Sequence, residues 1–344
     1  MRFGLMINSD EPAERDPLTR LDEHLERART ARGAGFHTLA AAHRNSFGPA
    51  RPDDRGEPLV TSRFQPLLLL AYLAAEMRDT MHYATTILLS TSAHPAQLAE
   101  DVATLDAFCH CRLRLGLGLG WMPFEFEAFG VPKRERVGRF EELLEVYRRL
   151  LDEESVTFEG RHFRVRDARL IARSVQRPRP PLWVGASSDR TVRRAARFGD
   201  AWIISGHITL DVLERQLALY RAELDRLGKP FPAEFPIVRM VHVAADRETA
   251  LKEAEPVLAD WYRKRGDWGW FLTQGPAKAV TDEMLRTGRW IMGDPNDCVE
   301  QIANLRDRLG VDHLIFGMPW PRSEQEKRLR TIRLLGERVI PHLK

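Results

Sequence analysis

The chain has little cysteine. Its three residues, Cys109, Cys111 and Cys298, are too few, and the first two too close together, for a disulfide framework. No CxxC pair and no HExxH run occurs, which argues against a zinc site. Long apolar runs are also absent. The longest, Leu67 to Ala75, falls far short of the ~20 residues that span a bilayer. The apolar stretch within Met1 to Asp10 is too short for a signal peptide. Charge of one sign is scarce: 52 Lys and Arg against 49 Asp and Glu leave +3, too small an excess to point to nucleic acid. There is no nucleophile elbow GxSxG, no low-complexity tract and no internal repeat. These absences exclude a secreted disulfide scaffold and a membrane bundle. They lead to the expectation of a soluble protein of a reducing compartment, the cytoplasm, with no nucleic-acid and no membrane partner.

What is present is an ordinary globular composition, 43% hydrophobic and 29% charged over 344 residues. That length admits two ordinary domains or one large α/β domain, and a barrel with insertions falls inside it. Short apolar runs alternate with amphipathic ones. Phe3–Ile7, Phe36–Ala42, Met81–Leu89, Arg112–Leu119, Pro181–Gly185, Ala201–Ile204, Pro236–Val243 and His313–Phe316 read as strands. Helices are expected over Leu18–Arg32, Leu67–Met77, from Pro95 and along the stripe Phe140, Leu143, Leu144, Tyr147, Leu150 and Leu151. Three more are expected around Leu213–Leu224, over Asp297–Leu309 and over Glu324–Val339. Eight strands, mostly followed by helices, fit a (β/α)8 TIM barrel in one domain spanning 1–344; a doubly wound open sheet is the alternative. Segments 45–64, 155–180 and 253–292 read as insertions. The second contains a hairpin turning at Glu159-Gly160, and the third is read as helical, with Trp261, Trp268 and Trp270 forming part of a lid or pocket wall.

In a barrel, chemistry gathers on the loops after the strands. Asn8, His43, Ser90, Gly120, Trp121, Ser187, Ser188, His207 and His242 stand at such positions. No Asp/Glu cluster converges there, so a divalent-metal hydrolase is disfavoured and no metal is expected. Glycines, small hydroxyls, histidines and aromatics suit a planar, partly apolar ligand with a polar tail, a description that favours a bound cofactor. Gly116-Leu-Gly-Leu-Gly-Trp121 is not a dinucleotide-binding GxGxxG, because Pro123 follows at once. Its alternating glycines leave one strand face flat, either for tight packing or for the close approach of a ring or backbone. Gly185-Ala-Ser-Ser-Asp-Arg-Thr191 runs from a strand into an Arg-rich helix, where free N–H groups can cap the helix or hold a phosphate. His43, His94, His207 and His242, at strand ends, are candidate acids or bases.

On these residues the chain resembles the bacterial luciferase-like flavin-dependent monooxygenase family. The resemblance is carried in order by Gly35-Phe-His-Thr-Leu39, Ala93-His-Pro-Ala-Gln-Leu-Ala-Glu-Asp-Val-Ala-Thr-Leu-Asp106, Gly116-Leu-Gly-Leu-Gly-Trp121 and Phe129-Gly-Val-Pro132. Phe158-Glu-Gly160, Pro180-Pro-Leu-Trp-Val-Gly185, Gly199-Asp-Ala-Trp202 and Gly293-Asp-Pro295 complete it. It implies a luciferase-like barrel with reduced flavin across the strand ends and a non-prolyl cis peptide at Thr86-Ile87 behind the ring. It further implies cofactor contacts at Ser90, Gly118 and Gly120 and a phosphate at Ser187, Ser188 and Thr191. His43 takes the catalytic acid/base role, although the family's Glu-His type pair is here His43-Arg44 after Ala40-Ala-Ala42. Asn8, Trp121, His207 and His242 are the candidate substrate contacts.

The implied activity is a two-component monooxygenase. Reduced FMN, supplied by a separate flavin reductase, reacts with O2 through a C4a-peroxyflavin to oxygenate a small organic substrate. The alternatives are a coenzyme F420-dependent hydride-transfer oxidoreductase and a non-catalytic flavin-binding relative. The resemblance also implies a homodimer.

Overall fold

A computed structural model describes residues 1–9, 11–45, 51–52, 58–59, 61–78, 81–266, 277–318 and 324–343. Parallel strands alternate with helices along the chain: β1 (Arg2–Met6), α1 (Pro17–Gly33), β2 (Thr38–Ala41), α2 (Pro66–Met77), β3 (His82–Thr85) and α3 (Pro95–Phe108). Next come β4 (Leu113–Gly118), α4 (Pro123–Ala128), α5 (Arg136–Asp152), β5 (Leu182–Ala186), α6 (Asp189–Phe198), β6 (Ala201–Ile204) and α7 (Leu210–Arg226). The remainder is β7 (Pro236–Val243), α8 (Arg247–Gly266), α9 (Ala277–Arg286), β8 (Trp290–Gly293), α10 (Pro295–Leu309), β9 (His313–Gly317) and α11 (Gln325–Arg338).

Strands β1 to β7 and β9 pair side by side in the order β5-β6-β7-β9-β1-β2-β3-β4. β4 then pairs back with β5, through Leu115, Gly116 and Leu117 against Leu182, Trp183 and Val184. That last ladder closes the sheet and rules out the open doubly wound alternative. Closure leaves no barrel edge and divides the side chains between two layers. Outward residues such as Leu5, Leu115, Leu117 and Val184 meet the helices in the main core. Inward residues such as Ala40, Ala84, Trp183, Ile203, Met240 and Ile315 fill the interior.

Local chemistry explains the borders. Asp16 accepts a hydrogen bond from the Thr19 N–H and caps α1, with Pro17 in its first turn. Asp294 caps α10 in the same way, and Gly310 ends that helix with φ +67°. The 155–180 segment contains the expected hairpin, Val156–Glu159 against Arg164–Ala168.

Two sequence readings need correction. The third strand is not continuous over 81–89: its main-chain run is broken at the cis Thr86-Ile87 bond, and Leu88–Leu89 resumes pairing with β4. Segment 253–292 is not wholly helical. Trp290-Ile-Met-Gly293 is a fully buried strand that pairs with the second half of β7, from Met240 to Val243. A four-residue run with both faces covered carries no period to read. Trp268 and Trp270, and the side chain of Trp261, lie outside the described residues.

Candidate active site

A cavity of about 640 Å³ opens at the C-terminal ends of the barrel strands. It falls in the size range of small-molecule sites. Its floor is apolar: Met6 from β1, Ile203 from β6, and Val238 and Met240 from β7. Polar groups stand higher on the wall, including His43, Arg44, Arg63, His207, Ser187 and Thr191.

The flat side of the cavity comes from β3 and β4 together. Thr86-Ile87 is a non-prolyl cis peptide, at the position the resemblance implied. Thr85 Oγ1 accepts from the Gly116 N–H and donates to the Gly116 carbonyl, both at 2.8 Å, which locks β3 to β4 just before the bend. The β4 glycines serve that bend. A Cβ at Gly116 would stand 2.1 Å from the Thr85 carbonyl oxygen, and one at Gly118 would stand 1.8 Å from Ile87 Cδ1. Gly116 thus admits the Thr85 backbone, and Gly118 the Ile87 side chain. Gly118, Gly120 and Trp121 line the cavity. Ser90 does not; its N–H donates to the Gly118 carbonyl at 2.9 Å.

Beside β4 in the ring of strands, β5 leads into α6. Thr191 Oγ1 accepts from the N–H groups of Ser187 and Ser188, at 3.0 and 2.9 Å, and donates to the Ser188 carbonyl. Ser187 and Thr191 line the cavity, whereas Ser188 is outside its wall. Three neighbouring basic side chains are turned elsewhere. Arg193 reaches Glu223 at 3.4 Å, Arg194 reaches Glu141 at 2.7 Å, and Arg215 occupies Asp189. With the Ser187 and Ser188 N–H groups held by Thr191 Oγ1, an anion at this helix start would be met by the serine hydroxyls and the helix dipole.

His43 lines the cavity, but its ring is committed. Nδ1 accepts from the Leu89 N–H at 3.1 Å, and Nε2 is buried. Burial, then the charge of Arg63, pushes its pKa down to about 4, against the pull of Gln65 and Asn45 beside the ring. Near neutral pH the ring is thus uncharged.

Two expected substrate contacts are spent on structure. Asn8 is buried and outside the cavity wall; its amide bonds both the N–H and the carbonyl of Ala42 at 2.8 Å. His242 is also outside the wall. β7 runs past the barrel into its ladder with β8, and there His242 is fully buried, with Nε2 at 2.7 Å from Glu253 and Nδ1 at 3.4 Å from Thr331. His94, likewise, accepts from the Ala96 N–H at the start of α3.

Several wall residues escaped the sequence reading. Arg63 came from segment 45–64, read only as an insertion. Met122 directly precedes the short α4, and Glu125 on that helix accepts from Asn45 Nδ2 at 3.0 Å. Val238 and Met240 were legible in principle, because alternate residues of a barrel strand face inward. Among the described residues, no group of three or more His, Cys, Asp or Glu is placed to hold a metal ion. No helix among them is long and apolar enough to cross a membrane.

Comparison with known proteins agrees with this geometry. The structure resembles monooxygenase RslO1 from Streptomyces bottropensis over 100% of both chains, with TM-score 0.85 and 25% sequence identity. It shares its fold with the FMN complex of the oxygenating constituent of 3,6-diketocamphane monooxygenase from Pseudomonas putida. There the TM-score is 0.75, with 17% identity over 99% of this chain and 98% of that one. The fold is also that of the coenzyme F420 dependent tetrahydromethanopterin reductase from Methanopyrus kandleri, with TM-score 0.72 and 20% identity over 100% and 99% of the two chains. A family described as luciferase-like monooxygenase matches residues 1–313, and with that match, the closed barrel and its glycine-faced cavity, the chain belongs to the luciferase-like monooxygenase family.

Proposed function

We propose that the protein is an oxidoreductase, a flavin-dependent monooxygenase that uses reduced FMN and O2 to oxygenate a small organic molecule. One observation carries the reading. A single cavity joins the flat Thr86-Ile87 and Gly118–Gly120 side, suited to an aromatic ring system, to the Ser187–Thr191 helix start, suited to a phosphate. The FMN complex among the proteins of this fold supports it.

In this reading Ile87, Gly118 and Gly120 would hold the flavin ring, and the Ser187 and Ser188 hydroxyls would hold its phosphate, with Thr191 Oγ1 fixing the two serines through their N–H groups. Bound reduced FMN supplies the electrons that activate O2. Met6, Ile203, Val238 and Met240 exclude water from the floor. Trp121 and His207 face the substrate from the wall. An acid or base role for His43 first requires the ring to release the Leu89 N–H, so in the resting geometry it acts as a neutral wall group. A separate flavin reductase delivers the cofactor, and the exposed Leu68 on α2 fits a homodimer through the outer helices.

Hydride transfer with coenzyme F420 is the second reading. It is favoured by the exposure of Ser187 and Ser188, which leaves the phosphate end open to a longer tail. Titrating the protein with FMN, FMNH2 and F420, and following absorbance and fluorescence quenching, separates the two. Tight FMNH2 binding and oxygen-dependent turnover of an organic substrate support the first reading. F420 binding with oxygen-independent turnover supports the second. Binding of neither sinks both.

A further inference from the structure

Asn8 lies immediately beyond β1, where the barrel strand has ended and the mouth begins. Its side chain is 1% exposed and every part of the amide is used. Oδ1 accepts from the Ala42 N–H at 2.8 Å, and Nδ2 donates to the Ala42 carbonyl at 2.8 Å and to the Phe64 carbonyl at 3.3 Å. Ala42 is followed by His43, and Phe64 is preceded by Arg63. Both of those neighbours line the cavity. One amide thus grips two separate stretches of chain, each a single residue away from a cavity wall group.

The stretch that carries Arg63 is gripped from its other side as well. Arg20 donates to Ser62 Oγ at 2.6 Å and to the Ser62 carbonyl at 3.2 Å. Its guanidinium also lies 4.9 Å from the Phe64 ring centroid, and the His24 ring meets Phe64 edge-on at 5.4 Å. His43 is held in turn by its own N–H on the Ile87 carbonyl, at 3.0 Å, and by the Leu89 N–H on Nδ1. Of these anchors, Asn8 is the one that bonds both stretches. An apolar residue there would bury the Ala42 N–H and carbonyl unpaired, which a fold does not tolerate cheaply.

We propose that Asn8 is a positioning residue, which fixes Ala42 and Phe64 together and so sets how His43 and Arg63 stand relative to each other on the cavity wall. This rests on the reading of the cavity as the catalytic site, but the placement itself is a property of the cofactor-free chain. It is therefore tested without turnover.

The experiment follows the His43 ring in the apoprotein by NMR across pH, in the wild type, in Asn8→Ala and in Asn8→Asp. In the wild type the ring titrates near 4, held there by burial and by Arg63. In Asn8→Ala the stretch bearing Arg63 loosens, both causes weaken, and the midpoint climbs toward 6.5 by about one unit or more. Asn8→Asp keeps the acceptor and loses both Nδ2 donor bonds, but its carboxylate raises the midpoint by charge alone, so the decision rests on Asn8→Ala. Should Asn8→Ala fail to fold, Arg20→Ala loosens the same stretch from outside and raises the midpoint by less. A folded Asn8→Ala whose His43 titrates as in the wild type overturns the proposal. If the His43 midpoint moves as stated while FMNH2 and F420 both fail to bind the wild type, the positioning role stands and the functional reading falls.

Discussion

Ile87 fills the space that a side chain on Gly118 would need: a Cβ there would lie 1.8 Å from Ile87 Cδ1. The same side chain closes over Gly185, where an added Cβ would stand 3.0 Å from it. Gly118 on β4 and Gly185 on β5 therefore leave room for one residue just beyond β3.

The three glycine-to-alanine changes have a definite order. Gly116→Ala meets the Thr85 backbone, which cannot swing aside. Gly118→Ala meets the end of a side chain in a packed wall, and Gly185→Ala only crowds it. Overpacking costs about 1–3 kcal/mol, with the backbone clash at or above the top of that range. Urea denaturation of the three variants reads the order directly, and a Gly185→Ala protein less stable than Gly116→Ala would contradict it.

At the α6 end, Thr191→Val removes the oxygen that collects the Ser187 and Ser188 N–H groups. FMN binding should weaken by roughly 5- to 30-fold, the loss of one to two hydrogen bonds. Riboflavin, which lacks the phosphate, should bind with little change, and Thr191→Ser should restore FMN binding. Fluorescence titration with both flavins decides it; equal losses for the two would place the phosphate elsewhere.

A third prediction concerns acid. Burial, chiefly, holds His37 at about 3 and His82 and His242 at about 4, against 6.5 for a free ring. His82 also sits against Arg114, and His37 against His82 itself. The folded protein keeps these rings neutral, whereas the unfolded chain takes up protons as pH falls through 6.5. Their contribution is complete above that pH and is lost progressively as pH falls toward 4. Glu234, drawn down to about 2 chiefly by His313 and Arg114 against the opposing effect of burial, extends the loss below 4.5. Thermal midpoints measured from pH 8 to pH 4 should fall with acid, and His82→Gln should flatten the slope. A midpoint that rises on acidification contradicts this.

Glu11 and Arg328 form an ion pair, 2.8 Å apart, with both side chains fully buried. Glu11→Ala strands the guanidinium and should cost about 3–5 kcal/mol, while replacing both partners with apolar residues should recover most of that loss. Chemical denaturation of the single and double variants tests it, and additive losses would show that the partners do not depend on each other.

Much of this was legible in the chain. Leu143, Leu144, Tyr147 and Leu151 announce α5 because an amphipathic helix repeats every 3.6 residues. The strands read as strands because their apolar runs are short and bounded by glycine and proline. The glycine alternation from Gly116 to Gly120 marked a close approach, though not what would approach. Ser187 and Thr191 were legible as a helix start open to the cavity. Trp290–Gly293 was not legible, since a short run buried on both faces has no period.

Asn8, His242 and Arg63 show where local reading ends. Position after a strand marked Asn8 and His242 for the mouth, yet one is bonded to the neighbouring strand end and the other is sealed under α8 and α11. Arg63 lay in a stretch with no pattern and stands on the wall. Periodicity and capping are local properties, so the sequence by itself determined the elements, their order and the barrel they build. Where a side chain points depends on which distant segment reaches it first. Only the closure of β4 onto β5, and the grip of Asn8 on Ala42 and Phe64, decided which of these residues face the cavity.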